Sequence, residues 1–193
     1  MKMKIVVAYG GTSPEREVSL NSGRAVCEAL SHKGHSVLLE DVLSPKEFVQ
    51  KWHTFGADGV FIALHGDWGE DGRFQTCLDA YSIPYTGSGP EACMFAMDKT
   101  VAKLLFSVED LPMPEGSIIH KGFAAGRREE EMLKRHGALV VKPNSGGSTV
   151  GVTLAKTEEE LISGIENCWK AYKNENKALV EQYIPGREIT VPV

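Results

Sequence analysis

Three short apolar runs, MKIVVAYGG, HSVLLED and ADGVFIALHG, follow one another early in the chain, with helical periodicity between them. Such alternation commits a chain to an open α/β sheet. The third run is apolar without alternation, the pattern of a strand buried on both faces of a parallel sheet. After the first run, the spacing puts Val18, Ala25, Val26, Ala29 and Leu30 on one helix face, with Gly34 where a helix-terminating residue belongs. PKEFVQKWHTF and GRFQTCLDAYSI read as further helices. PYTG reads as a short strand and PEACMFAMDKTVAKLLFSV as one longer helix.

The pattern then changes. GSIIHK, GALVVKP, GVTLAKT, KALVEQYI and EITVPV read as strands that come in hairpin-like pairs. They surround a charged helix over 124–135 and an amphipathic helix, TEEELISGIENCWKAYK, whose three early acids suit the helix dipole. This predicts an α/β domain over residues 1–96 and a separate α+β unit over 97–193. REITVPV stops inside an apparent strand, so the second unit is expected to be incomplete.

Composition narrows the function. A net charge of −5 argues against non-specific nucleic-acid binding. No apolar run is long enough to span a bilayer, and the apolar stretch after the first lysines is too short for a secretory signal. Cys27, Cys77, Cys93 and Cys168 form no C-x-x-C pair, so free thiols in a reducing compartment are expected.

Several loops carry candidate chemistry. KPNSGGSTVGV, from Lys142 to Val152, offers backbone N–H groups and hydroxyls to phosphate oxygens, with Lys142 adding a point charge. It is not a Walker A loop, and a plain hairpin turn is the competing reading. GGTSPEREVS places Glu15 at the carboxyl end of the first strand, where α/β sheets bind ligands. A Thr12–Glu15 capping box would explain the same residues. ALHGDWGEDG gathers His65, Asp67, Glu70 and Asp71 after a buried strand, without a zinc-type spacing. GSGPEA matches a dinucleotide fingerprint, but it comes too late in the fold and suits a strand-to-helix turn. Lys99 and Lys103 stand four residues apart on one helix face, which a solvated basic face would also explain.

Taken in order, GGTSPEREVSLNSG, ALHGDWGEDG, YTGSG, MDK, VKPNSGGSTVGV and EQYIPGREITV resemble the D-alanine–D-alanine ligases of the ATP-grasp superfamily, from Lys4 to Val193. The resemblance implies a Rossmann-like pre-ATP-grasp domain followed by part of an ATP-grasp domain. It implies a cytoplasmic homodimer that uses D-alanine and ATP to make D-alanyl-D-alanine for peptidoglycan, with no nucleic-acid or membrane partner.

By the same resemblance, Glu15 would hold the ammonium of the first D-alanine. His65 would lie near its carboxyl end, with Glu70 supporting that loop. Lys99 and Lys142 would reach the ATP phosphates, and Lys142 would also lie beside the adenine. Ser148 would close the glycine-rich loop and tie it to Glu15. Glu181, Gln182, Tyr183 and Ile184 would line the adenine, and Glu188 would take the ribose hydroxyls. Mg²⁺ is implied, with its ligands in a further C-terminal part, so that this chain alone is expected not to turn over. Ligases of D-alanine with D-lactate or D-serine, or a non-catalytic nucleotide-binding module, are the alternative readings.

Overall fold

The structure is a computed structural model that describes residues 1–147, 149–172 and 175–190, with the side chain of Asp67 left aside. The chain divides into two compact units, Met1–Asp98 and the part from Lys99 onward.

The first unit is built on a parallel sheet. β1 (Lys4–Tyr9) lies between β2 (Ser36–Asp41) and β3 (Gly59–Ile62). Ile5 pairs with Val37 on one side and Gly59 on the other. PYTG adds one parallel bridge, Val60 to Tyr85, and Thr86 Oγ1 accepts from Ile62 N at 3.1 Å. The central strand explains its composition: Val6, Val7 and Ala8 are fully buried, so neither face of β1 meets water. Val6 and Ala8 join Phe48, Val60, Phe74 and Leu78 in one core, in which Phe48 and Phe74 meet edge to face at 5.1 Å.

The helices of this unit are α1 (Arg16–His32), α2 (Pro45–Phe55), the short α3 (Asp67–Glu70), α4 (Arg73–Ala80) and α5 (Pro90–Met97). α2 carries its own stop and start signals. Ser44 caps it, Pro45 opens it, and Gly56 ends it at φ +63°. α1 differs from the periodicity reading. Its fully buried residues are Ser19 and Gly23, whereas Val18, Ala25 and Ala29 are exposed and Val26 and Leu30 half-buried. The reason is close approach: any Cβ at Gly23 would collide with the Tyr9 ring, so small residues face the sheet.

The second unit is an antiparallel sheet in the order β4 (Gly116–His120), β7 (Lys177–Gln182), β5 (Leu139–Pro143), β6 (Thr153–Ala155). Alternation sorts its faces. Leu139, Val141, Ala178 and Val180 join the core with Leu161, Ile165 and Cys168 of α8 (Glu158–Ala171). Val140, Lys142, Leu179 and Glu181 therefore take the opposite face. α8 starts with a capping box between Thr157 and Glu160. α7 (Arg127–His136) starts later than the predicted 124, because Gly126 is extended and its N–H donates to the Glu129 carboxylate at 2.7 Å.

Two further expectations are corrected. The long helix is two helices, α5 and α6 (Lys99–Val108), because Asp98 takes an extended conformation at ψ 101°. Glu188–Thr190 join no strand among the described residues, and Val191–Val193 lie outside them. An extended segment needs a partner edge to become a strand, and Ile189 is exposed instead.

Candidate functional site

In the first unit, the loops after β1 and β3 meet in a small open cleft lined by Gly10, Gly11, Ser13, Leu64, His65 and Gly66, among others. Serines hold the two loops together. Ser19 Oγ accepts from Gly10 N at 2.8 Å and donates to Ala63 O at 2.7 Å. Ser13 Oγ donates to His65 O at 2.7 Å and accepts from Glu15 N at 3.1 Å. The Thr12–Glu15 capping box is not formed. Glu15 itself precedes the first residue of α1, and the end of that helix carries no side-chain cap bond. The Glu15 carboxyl group is instead buried, packed against Gly66, whose φ of +64° only glycine adopts without strain.

His65 stands beside it, with Nε2 3.0 Å from Ser22 Oγ and Nδ1 3.5 Å from Glu70 Oε1. Asp71 goes elsewhere: its carboxylate accepts from Arg73 N and pairs with the Arg73 side chain at 2.5 Å. Below the cleft, Asp41 accepts from Gly11 N and forms a two-pronged pair with Arg16, at 2.8 and 2.5 Å. That hydrogen-bonded guanidinium, against a smaller opposing effect of burial, holds the Asp41 carboxyl below its ordinary range. The structure thus gathers Glu15, His65 and Glu70 around one loop pair, while Asp71 serves a helix end.

In the second unit, Glu181 is 4% exposed and flanked by two lysines. Lys103 of α6 and Lys142 of β5 both pair with its carboxylate, one on each oxygen. Burial pushes the Glu181 carboxyl up, and the two ammoniums outweigh it, leaving the group below its ordinary value. Lys103 also donates to Pro114 O at 2.8 Å. Lys142 and Glu181 meet because they are diagonal neighbours on one sheet face, Lys142 lying opposite Leu179 in the ladder.

The root of the glycine-rich loop is fixed from three sides. Lys99 Nζ donates to Asn144 O at 3.3 Å and Gly146 O at 2.7 Å. Asn144, 1% exposed, accepts through Oδ1 from Thr100 N at 3.1 Å and Thr100 Oγ1 at 2.6 Å. Glu175 accepts from Ser145 N at 2.7 Å and from Asn176 N and Lys177 N at 2.9 Å each. Tyr172 donates its hydroxyl to Gly147 O at 3.1 Å. Ser148 lies outside the described residues.

The solvated basic face is therefore overturned. Lys99 and Lys103 share a helix but bind different partners, the loop root and Glu181. Past Glu181 the chain emerges. Gln182 is half-buried, and Tyr183, Ile184 and Glu188 are exposed. Asn144, Glu175, Tyr172 and Lys103 were not among the predicted site residues. Lys103 had a signal in its four-residue spacing from Lys99, and Asn144 lies within the KPNSGGSTVGV stretch, whereas Glu175 and Tyr172 had none. GSGPEA forms the expected turn into α5, with Gly89 and Pro90 at its start.

Two family models match in chain order: the D-ala D-ala ligase N-terminus over residues 41–88 and the D-ala D-ala ligase C-terminus over residues 105–193. The chain belongs to the D-alanine–D-alanine ligase family. A D-alanine–D-alanine ligase of Halalkalibacterium halodurans is 44% identical over 191 residues, covering 99% of this chain and 60% of the relative. The crystal structure of the Bacillus anthracis ligase superposes with a TM-score of 0.82 at 32% identity, covering 95% of this chain and 58% of that one. The same ligase complexed with ATP gives a TM-score of 0.80 at 30% identity, covering 95% and 60%. The chain spans about 60% of the length of the curated relatives it matches.

Proposed function

We propose that the protein carrying this chain is an ATP-dependent ligase that joins two D-alanines, and that this chain supplies its first-substrate cleft and part of its nucleotide site. The observation that carries this reading is the match to curated D-alanine–D-alanine ligases across 99% of the chain. The chemistry of the residues agrees with it.

A carboxylate is a poor electrophile. ATP gives its terminal phosphoryl group to the carboxylate of one D-alanine, forming an acyl phosphate and releasing ADP. The amine of the second D-alanine attacks that carbonyl, phosphate leaves, and D-alanyl-D-alanine forms. The protein's share is positioning and electrostatics. Glu15, an acidic group at the wall of the cleft, holds the ammonium of the first D-alanine. His65, oriented by Ser22 and Glu70, lies toward its carboxyl end. Lys99 and Lys142 attract the phosphates of ATP, the glycine-rich loop covers them through Ser148, Glu181 to Ile184 line the adenine, and Glu188 takes the ribose.

Magnesium prefers a shell of oxygen ligands that includes carboxylates. Among the described residues, no group of three or more His, Cys, Asp or Glu is placed to hold a metal ion. The residues here do not fit that ion, and no step through it is assigned to them. No helix among the described residues is long and apolar enough to cross a membrane. A cytoplasmic homodimer serving peptidoglycan synthesis is part of the same proposal.

Glu15→Gln tests it. The substitution keeps shape and removes charge, so the KM for D-alanine rises on the order of tenfold or more while the KM for ATP stays put. Unchanged constants for both substrates would remove Glu15 from the site.

A further inference from the structure

We propose that Lys103 is a positioning residue for the nucleotide: it is the standing counter-cation of Glu181, and so leaves Lys142 able to turn to the phosphates. The inference rests on the ligase reading above, which gives Lys142 a nucleotide partner but leaves Lys103 without a role.

The two lysines look alike from Glu181 and differ in every other respect. Lys103 is anchored twice, to the Glu181 carboxylate and to Pro114 O, so it bridges α6, the segment before β4, and β7. Lys142 meets Glu181 alone among the described residues. Its strand runs directly into the glycine-rich loop, whose root is fixed at Asn144 and Ser145. Of the two ammoniums, Lys142 is the one that can change partner at the cost of a single contact.

Charge explains why a second lysine is needed. A carboxylate as buried as Glu181 is strongly disfavoured if its only cation leaves. With one lysine, binding phosphate through Lys142 would strand Glu181. With two, Lys142 moves and Lys103 keeps the carboxylate neutralised in place. Space is kept for this arrangement. Gly116 faces Glu181 across the β4–β7 ladder, and a Cβ there would stand 3.1 Å from Glu181 Cγ and 3.6 Å from Lys103 Nζ.

The test is calorimetric binding of ATP to the protein carrying this chain, wild type and variants, with circular dichroism confirming the fold. Lys103→Met is expected to weaken ATP binding about tenfold or more, because Lys142 is then held by Glu181. Lys103→Arg keeps the charge and is expected to stay within about threefold of wild type. In the Glu181→Gln background there is no buried carboxylate to strand, so adding Lys103→Met is expected to recover, costing ATP affinity no more than about threefold there. That recovery is beyond a merely structural role. A Lys103→Met variant that melts earlier yet binds ATP like wild type would overturn the proposal. So would a Lys103→Met cost as large in the Glu181→Gln background as in wild type. Wild-type protein that binds no ATP would overturn the nucleotide-site reading itself, and the inference with it.

Discussion

The carboxylate of Glu15 rests on the backbone of Gly66. A Cβ built at Gly66 would stand 2.7 Å from Glu15 Oε1 and 3.1 Å from its Cδ. The two residues lie on different loops, one after β1 and one after β3, so the position of the acidic group depends on a glycine some fifty residues away. Gly66 also needs its positive φ.

Gly66→Ala should therefore act at two levels. Strain at φ +64° costs about 1 kcal/mol of stability, visible as a lower urea midpoint. The displaced Glu15 raises the KM for D-alanine and leaves that for ATP alone. Equal effects on both substrates would show that Gly66 acts only through general stability.

Asp41 links the cleft to stability through pH. Its carboxyl is held below the ordinary carboxylate range in the fold by hydrogen bonding to Arg16. A depressed folded value stabilises the protein above the unfolded value of about 4 and loses that benefit as pH falls through the folded one. Asp41→Asn should lower the melting temperature by a similar amount across neutral pH, and the gap to wild type should close in acid below that range. A gap that stays constant into strong acid would show that the Arg16 pair contributes nothing.

Asn144 is the most buried polar side chain at the loop root. Removing its oxygen in Asn144→Ala withdraws the acceptor shared by Thr100 N and Oγ1. The expected loss is about 1–3 kcal/mol in urea unfolding. Weaker ATP binding should accompany it, because Lys99 and the loop share that root. A fully stable Asn144→Ala variant would contradict this account of the loop.

The fold was legible wherever residue type and spacing act locally. β3 read as a strand buried on both faces because its run shows no alternation, and β1 read as a short apolar strand, whose Val6, Val7 and Ala8 prove fully buried. α2 read correctly because Ser44, Pro45 and Gly56 mark both ends. α1 read correctly as a helix that ends before Gly34, but its buried face did not, because it approaches the sheet through Ser19 and Gly23, and close packing uses the absence of side chains, which an apolar count misses. The break at Asp98 carries no proline or glycine and so no local sign.

The site divided the same way. Glu15, His65 and Glu70 come together because each follows a strand of one parallel sheet. The partnership of Lys103 with Glu181 spans 78 residues and depends on strand order, which no local pattern contains. Glu175 was invisible for the same reason: its contact with Ser145 spans 30 residues.

On the proposed reading, these residues belong to an enzyme that uses ATP to join D-alanine to itself. The most direct measurement follows ADP and dipeptide together in the protein carrying this chain, supplied with Mg-ATP and either D-alanine or L-alanine. The account predicts ADP and D-alanyl-D-alanine in equal amounts with D-alanine, and neither with L-alanine. ADP released at the same rate with both amino acids, or without dipeptide, would contradict it.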